Sequence, residues 1–268
     1  MSALARYFNF MKKNVAGYDL TPTQLTDTLQ KEGIDIHFED DVSKIAETFK
    51  NKAETLIVYT PAVPDSHSEL SLFRKNGFTI LKRSEVLGLL TKEKFSIAVA
   101  GTHGKTTTSA MIAHILKQSG ADCSAFLGGI ATNYQSNFLW SDNSDYVVVE
   151  ADEYDRSFLQ LHPDFAVVTS VEPDHLDIYK NEEELQKAFY QFTDQIKPEG
   201  SLILRQAIKL KVSVERFKYI YTYDIKEGSV FYSDNIRIEN GKYVFDFVEP
   251  IDKKIENIRL QMPGLHNV

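Results

Sequence analysis

The chain has 268 residues, and its 30 Lys and Arg against 38 Asp and Glu give a net charge of −8, so it is long enough for about two domains with ordinary cores. With 43% hydrophobic and 25% charged residues, 8 Pro and 13 Gly, it falls among globular proteins and outside the collagen-like and broadly disordered classes. The acidic balance has the wrong sign for a non-specific nucleic-acid binder, and no apolar run approaches the roughly 18 residues of a membrane span or forms a secretory signal; we expect a cytoplasmic chain with no nucleic-acid partner and no membrane insertion.

Helical and strand patterns alternate over the first two hundred residues, the signature of crossover units and a mainly parallel sheet, which makes the fold class α/β. Residues 2–13 read as a helix through Leu4, Tyr7, Phe8 and Met11, followed by a strand at 15–18 that ends at Asp19. Residues 21–32 form the next helix, stopped by Gly33; 56–59 is a buried strand, Thr60, Pro61 and Pro64 mark a loop, 66–76 returns to helical spacing, and 80–82 closes the unit, with a boundary near 90–93. A sheet of this type should begin with a strand and a glycine-rich turn, whereas here the first residue already sits at a helix start; this suggests a chain that begins inside a domain. The lone Cys123 offers no internal disulfide or cysteine cluster and reads as core filler rather than as a catalytic thiol.

The second half opens with a strand at 95–100, then Gly101-Thr102-His103-Gly104-Lys105-Thr106-Thr107-Thr108, then a helix with Met111, Ile112, Ile115 and Leu116 on one face. Strand, glycine loop and helix in this order aim consecutive backbone N–H groups at one point, where the helix dipole and a nearby ammonium favour a polyphosphate. Lys105 would reach the terminal phosphates and the Thr106 hydroxyl would ligate Mg²⁺. Val99 stands where the generic phosphate-loop pattern has its first glycine, and a tight turn into a helix without ligand is the competing reading.

Residues 146–149 form an apolar strand ending in Glu150-Ala151-Asp152-Glu153-Tyr154-Asp155; residues 165–171 form another, with Asp174-His175 soon after. Ligands of open α/β sheets bind beyond the carboxyl ends of the strands, so the loop, Glu150 and His175 could share one crevice and hold metal and nucleotide together. A solvated strand end for Glu150 and a capping or buried histidine for His175 are the plain alternatives. Asp152, Glu153 and Asp155 read as loop charges. A helix over 182–196 follows, then period-two strands at 219–223, 230–232, 236–238 and 243–247, with Asn240-Gly241 as a hairpin turn. The last residues, 263–268, look like the start of a further helix.

Four segments, Gly101 to Thr108, Glu150-Ala151-Asp152-Glu153, Asp174-His175-Leu176-Asp177 and Gly264-Leu265-His266-Asn267, occur in the order and spacing of the Mur ligases, ATP-dependent amide-forming enzymes of peptidoglycan synthesis, and the chain resembles that family over nearly its whole length. The resemblance implies a partial Rossmann-like UDP-sugar-binding domain at 1–92, then a P-loop mononucleotide-binding central domain at 93–268 with a small antiparallel appendage. It also implies that the first strand with its glycine turn and a C-terminal domain are missing, and that such a fragment is inactive alone. His103 and the Glu-Ala-Asp-Glu strand end look most like the member that adds L-alanine to UDP-N-acetylmuramate, which makes these two molecules the implied substrates and ATP and Mg²⁺ the implied cofactors.

In that reading Gly101, Thr102, His103, Gly104, Lys105, Thr106 and Thr107 cradle ATP, and His266 and Asn267 lie on its adenine side. Lys105, Glu150 and His175 carry the catalysis, and Thr106, Glu150 and His175 serve metal. For His103 a phosphate or substrate contact and an orienting structural role both stand. Asp19 and the turn at Thr60-Pro61-Ala62-Val63 resemble UDP contacts. Tyr190 stands where some relatives carry a carbamylated lysine, with Lys187 nearby. Because Lys105 reads as part of an exposed loop, its loss should harm ATP use more than folding. A ligase of the same family that attaches a recycled murein tripeptide, and a non-catalytic nucleotide- or UDP-sugar-binding module, are the alternatives.

Overall fold

In the computed structural model, which describes residues 1–172, 179–251 and 253–268, ten strands form one sheet. Its parallel centre is built from β5 (Phe95–Ala100), β6 (Ser124–Ala131), β8 (Tyr146–Ala151), β9 (Phe165–Val168), β10 (Ser201–Arg205) and β11 (Tyr219–Asp224). The antiparallel β7 (Ser136–Leu139) closes one edge, and β12 (Phe231–Glu239), β13 (Lys242–Val248) and β14 (Lys254–Arg259) continue the other, in the order β14-β13-β12-β11-β10-β9-β5-β8-β6-β7. Central strands are apolar on both faces because both are covered. On β8, Val147 and Val149 enter the larger core, while Val148 enters a second one with Ala113, Cys123 and Leu127 beneath α5 (Lys105–Ser119).

The larger core is covered by α1 (Ser2–Phe10), α4 (Arg83–Glu93) and α6 (Glu182–Thr193), through Leu4, Val86, Leu87, Phe189 and Phe192. Arg6 fixes α1 to the sheet: Nη1 donates to Asn137 Oδ1 (2.8 Å) while Nε pairs with Glu32 (2.8 Å). Around it Tyr7 and Phe10 stack among Phe126, Phe138 and Trp140. The rest of the first hundred residues forms two separate parallel pairs, β1 (Ala16–Tyr18) with β2 (Asp35–His37) and β3 (Leu56–Tyr59) with β4 (Thr79–Lys82). They are joined by α2 (Gln24–Lys31) and α3 (Ser68–Lys75).

Several expected boundaries move for local reasons. The first helix stops at Phe10 rather than residue 13 because Lys12 takes a left-handed conformation (φ 60°). The second starts at Gln24 because Thr23 caps it, accepting from Thr26 N–H (3.2 Å) while Thr26 Oγ1 accepts from Thr23 N–H (2.8 Å). The expected domain boundary at 90–93 falls on the last turn of α4, a helix the sequence did not announce because it is buried on more than one side and lacks a clean amphipathic period. The segments expected at 230–232 and 236–238 are one strand, β12, whose pairing slips between Asp234 and Arg237, where Asn235 has φ 51°. The Asn240-Gly241 turn forms as read, with φ 50° and 74°, the two positive values a two-residue I′ hairpin needs. The expected final helix is a single 3-10 turn at Leu265–Asn267.

Candidate active site

Strand β5 lies between β8 and β9 in register, Ala100 beside Ala151 on one side and Val168 on the other. Three strand tips therefore reach one edge together, and the loop from Gly101 leaves from the middle one. Val99, where the generic motif has glycine, is a fully buried strand residue, so the turn here starts two residues later. Gly101 has φ 143°, and a Cβ there would lie 2.1 Å from Thr169 Oγ1; only glycine lets the two tips approach this closely.

The loop is anchored from β9's end, which explains why that strand stops at Val168 rather than running to residue 171. Thr169 Oγ1 donates to His103 O (2.5 Å), and Ser170 Oγ accepts from His103 N–H (2.8 Å) and lies 2.9 Å from Thr102 Oγ1. The backbone of His103 is thereby fixed while its imidazole stays 65% exposed, 3.7 Å from the equally open Glu172. Such exposure leaves the ring little orienting work.

Gly104 (φ 83°) caps α5 without a side chain, so the first-turn N–H groups through Lys105, Thr106 and Thr107 receive no side-chain cap and point outward from a helix N-terminus, the geometry that favours phosphate oxygens. Thr106 Oγ1 donates to Glu150 Oε1 (3.0 Å), and Glu150 Oε2 accepts from Gly128 N–H (2.7 Å) on β6. A Cβ at Gly128 would sit 2.4 Å from Glu150 Oε1. A hydroxyl and a carboxylate are the hard oxygen donors that Mg²⁺ prefers. Among the described residues no group of three or more His, Cys, Asp or Glu is arranged to hold a metal, so two protein oxygens leave most of an octahedral shell to phosphate and water. The donor set fits a nucleotide-bound magnesium.

Lys105 departs from the exposed-loop reading. Its side chain is only 14% exposed, and its ammonium donates to Gly101 O (2.7 Å) and pairs with Glu153 (2.9 Å), which is fully buried. Glu153, read from sequence as a loop charge, is thus the counter-ion of the phosphate-loop lysine. Its own carbonyl accepts from Tyr179 Oη (2.6 Å), whose pKa is pushed up to about 12 by burial and then by the Glu153 charge. The chain turns away from the tip through two consecutive left-handed residues, Asp155 and Arg156 (φ 53° and 54°).

Asp174 and His175 lie outside the described residues. His266 is exposed, and Asn267 donates from Nδ2 to Pro263 O (2.6 Å); no hydrogen bond or ion pair joins either to the phosphate loop among the described residues. Asp19 accepts from Thr21 N–H (3.2 Å) and Thr60 Oγ1 from Ala62 N–H (3.2 Å), each within its own turn. Tyr190 Oη is 3.1 Å from Ser213 Oγ.

Residues 99–268 match the Mur ligase middle domain, and residues 1–95 match the model described as Mur ligase family, catalytic domain. The chain belongs to the Mur ligase family. Over all 268 residues it is 52% identical to a relative in Parabacteroides distasonis and 51% identical to one in Phocaeicola vulgatus, both named UDP-N-acetylmuramate--L-alanine ligase. It spans 58% of the length of each of these Mur ligases. The crystal structure of UDP-N-acetylmuramate-alanine ligase from Thermotoga maritima superposes with a TM-score of 0.82 at 25% identity, over the whole chain and 59% of that protein. The UDP-N-acetylmuramate:L-alanyl-gamma-D-glutamyl-meso-diaminopimelate ligase of Neisseria meningitides superposes at 0.83 and 21% identity, over the whole chain and 86% of that one, a likeness of fold alone. No described helix is long and apolar enough to cross a membrane.

Proposed function

We propose that this chain supplies the ATP-holding and acid-holding parts of a cytoplasmic Mur ligase that joins L-alanine to UDP-N-acetylmuramate, with residues 1–92 on the UDP-sugar side and 93–268 on the ATP side. The observation that carries this reading is the convergence of Lys105, Thr106 and Glu150 on one edge of the sheet, with Glu153 behind them. The 52% identity to a named L-alanine ligase supports that amino acid over a murein tripeptide.

A carboxylate is a poor acyl donor. An oxygen of the substrate carboxylate attacks the γ-phosphorus of ATP, the bond to the β–γ bridging oxygen breaks, and its electron pair leaves with ADP. The amine of L-alanine then adds to the acyl carbon, and phosphate departs as the amide forms, the amine giving up a proton. Both partners of the first step are anions, so the protein's part is positioning and charge neutralisation. Lys105 swings from Glu153 to the β- and γ-phosphates, and the first-turn N–H groups of α5 hold the phosphate oxygens. The Thr106 hydroxyl and Glu150 would hold Mg²⁺, with His175 completing a second metal position; magnesium there supplies charge neutralisation for the phosphate oxygens. The exposed imidazole of His103 is open to contact with the phosphates or the substrate, and His266 and Asn267 belong to the adenine side.

The test is amino-acid competition in a phosphate-release assay, using the chain completed with those segments of the P. distasonis ligase that lie outside the match. Release that depends on UDP-N-acetylmuramate and responds to L-alanine above other amino acids and above the tripeptide supports the reading. Release indifferent to the amino acid contradicts it.

A further inference from the structure

Arg83, the first residue of α4, is a cation that the site as described leaves unused. It lines a small cavity with Ser84, Glu150, Asp152, Ser157 and Phe158. It is half-buried, yet its guanidinium makes no hydrogen bond or ion pair among the described residues.

The neighbouring carboxylates do not occupy it. Glu150 is held by Thr106 Oγ1 (3.0 Å) and Gly128 N–H (2.7 Å), and Asp152 Oδ1 accepts from Tyr154 N–H (3.1 Å). Burial pulls the Arg83 pKa down and the charges of Asp152 and Glu150 act against that, so the acids lie within Coulomb range without contact. A guanidinium stays charged at any physiological pH, and its donors, met by no described protein group, are not sealed in the core and remain open to solvent. Its fork, turned to a cavity at the strand tip and engaged by no described protein group, is available to an external anion.

The position selects which anion. Helices α4 and α5 cover opposite faces of the sheet, Val86 and Leu87 in the core that holds Val147 and Val149 of β8, and Ala113 in the core that holds Val148. Thr106 at the head of α5 thus reaches Glu150 from one face, and Arg83 at the head of α4 lines the cavity beside Glu150 from the other. Bringing a carboxylate up to a triphosphate requires a separate cation for each, and the planar fork of arginine matches a carboxylate with two parallel hydrogen bonds. We propose that Arg83 binds the carboxylate of the acid substrate and holds it at the tip of β8, opposite the phosphate loop, for attack on the γ-phosphorus. This rests on the ligase reading given above.

The experiment compares two ligands by calorimetric titration of the completed chain: UDP-N-acetylmuramate, and UDP-N-acetylglucosamine, which lacks the lactyl ether and its carboxylate. Arg83→Gln should weaken UDP-N-acetylmuramate binding by about ten- to a hundred-fold, the range of a charge-assisted hydrogen bond, and leave UDP-N-acetylglucosamine and ATP binding unchanged. Arg83→Lys should recover part of the loss, since it keeps the charge without the fork. Equal weakening of both sugars, or of neither, overturns the proposal while wild-type turnover leaves the ligase reading intact. If the wild-type chain does not distinguish the two sugars, both fall together. Should Arg83→Gln not fold, the Arg83→Lys protein decides by the same differential.

Discussion

Lys105 and Glu153 connect folding to function at the scale of single residues. With Glu153 fully buried and the lysine 14% exposed, replacing Lys105 by Ala removes a cation from a desolvated carboxylate. We expect a loss of about 1–3 kcal/mol in stability together with loss of ATP binding, measured by denaturant unfolding and by nucleotide titration. Glu153→Gln in the Lys105→Ala background should recover stability without recovering ATP binding, since it removes the buried charge and not the missing contact. Cys123 gives a prediction in pH. Its thiol is fully buried and pushed by burial from 9 up to about 11, so the folded state binds the thiol proton more tightly than the unfolded chain does. That contribution, of order 2 kcal/mol, is complete below pH 9 and is lost as the pH rises toward 11. Unfolding titrations between pH 8 and 11 should show a decline that is shallower in Cys123→Ala; an identical slope in both proteins contradicts the assignment. The sequence made Cys123 legible as core because nothing else could pair with it. Glu153 was illegible because one carboxylate among four at a strand end carries no mark of which one turns inward.

Among elements, the approach of β6 to β8 sets the Glu150 carboxylate. Gly128→Ala would place a Cβ 2.4 Å from Glu150 Oε1, driving that carboxylate off the Thr106 hydroxyl. Turnover should fall at least about tenfold, equivalent to about 1.4 kcal/mol of transition-state stabilisation, with ATP binding less affected. Gly241→Ala, in the hairpin at φ 74°, should instead cost about 1 kcal/mol of stability and leave kcat unchanged. Steady-state kinetics and thermal unfolding on the two variants check the contrast. The strands at 56–59, 95–100 and 146–149 and the hairpin at 240–241 were readable because a buried parallel strand is a short apolar run and Asn-Gly a specific turn. Elements β2, β6, β7, β10 and β14 and helix α4 were not read. Strand β6 contains Gly128 and Gly129, which weaken any strand pattern but are required by Glu150 and Thr106 beside them. Helix α4 is buried on several sides and loses its period. The glycine loop, Thr106 and Glu150 were legible because phosphate chemistry demands those types in that order. Arg83 was not, because its relevance depends on two helices covering opposite faces of one sheet.

For the molecule as a whole, α1 and α4 pack onto the sheet that carries the phosphate loop, and Arg6 links α1 to Asn137 and Glu32 at once. The amino-terminal segments are therefore fastened to the ATP-side sheet rather than tethered by a free linker, which keeps Arg83 beside Glu150 at the edge that carries the phosphate loop. Arg6→Ala should lower the Tm by several degrees, since a nearly buried guanidinium hydrogen-bonded to both Glu32 and Asn137 is lost, and should reduce affinity for the acid substrate more than for ATP; differential scanning calorimetry with ligand titrations checks both.

The central claim is that residues 101–106 grip a triphosphate and drive its γ-phosphoryl group onto a carboxylate. Its most direct measurement is phosphate release by the completed chain with ATP, UDP-N-acetylmuramate and L-alanine, beside the same chain carrying Lys105→Ala. We expect one phosphate released per amide formed in the first and no more than about a hundredth of that rate in the second. Undiminished release from the Lys105→Ala chain contradicts the account.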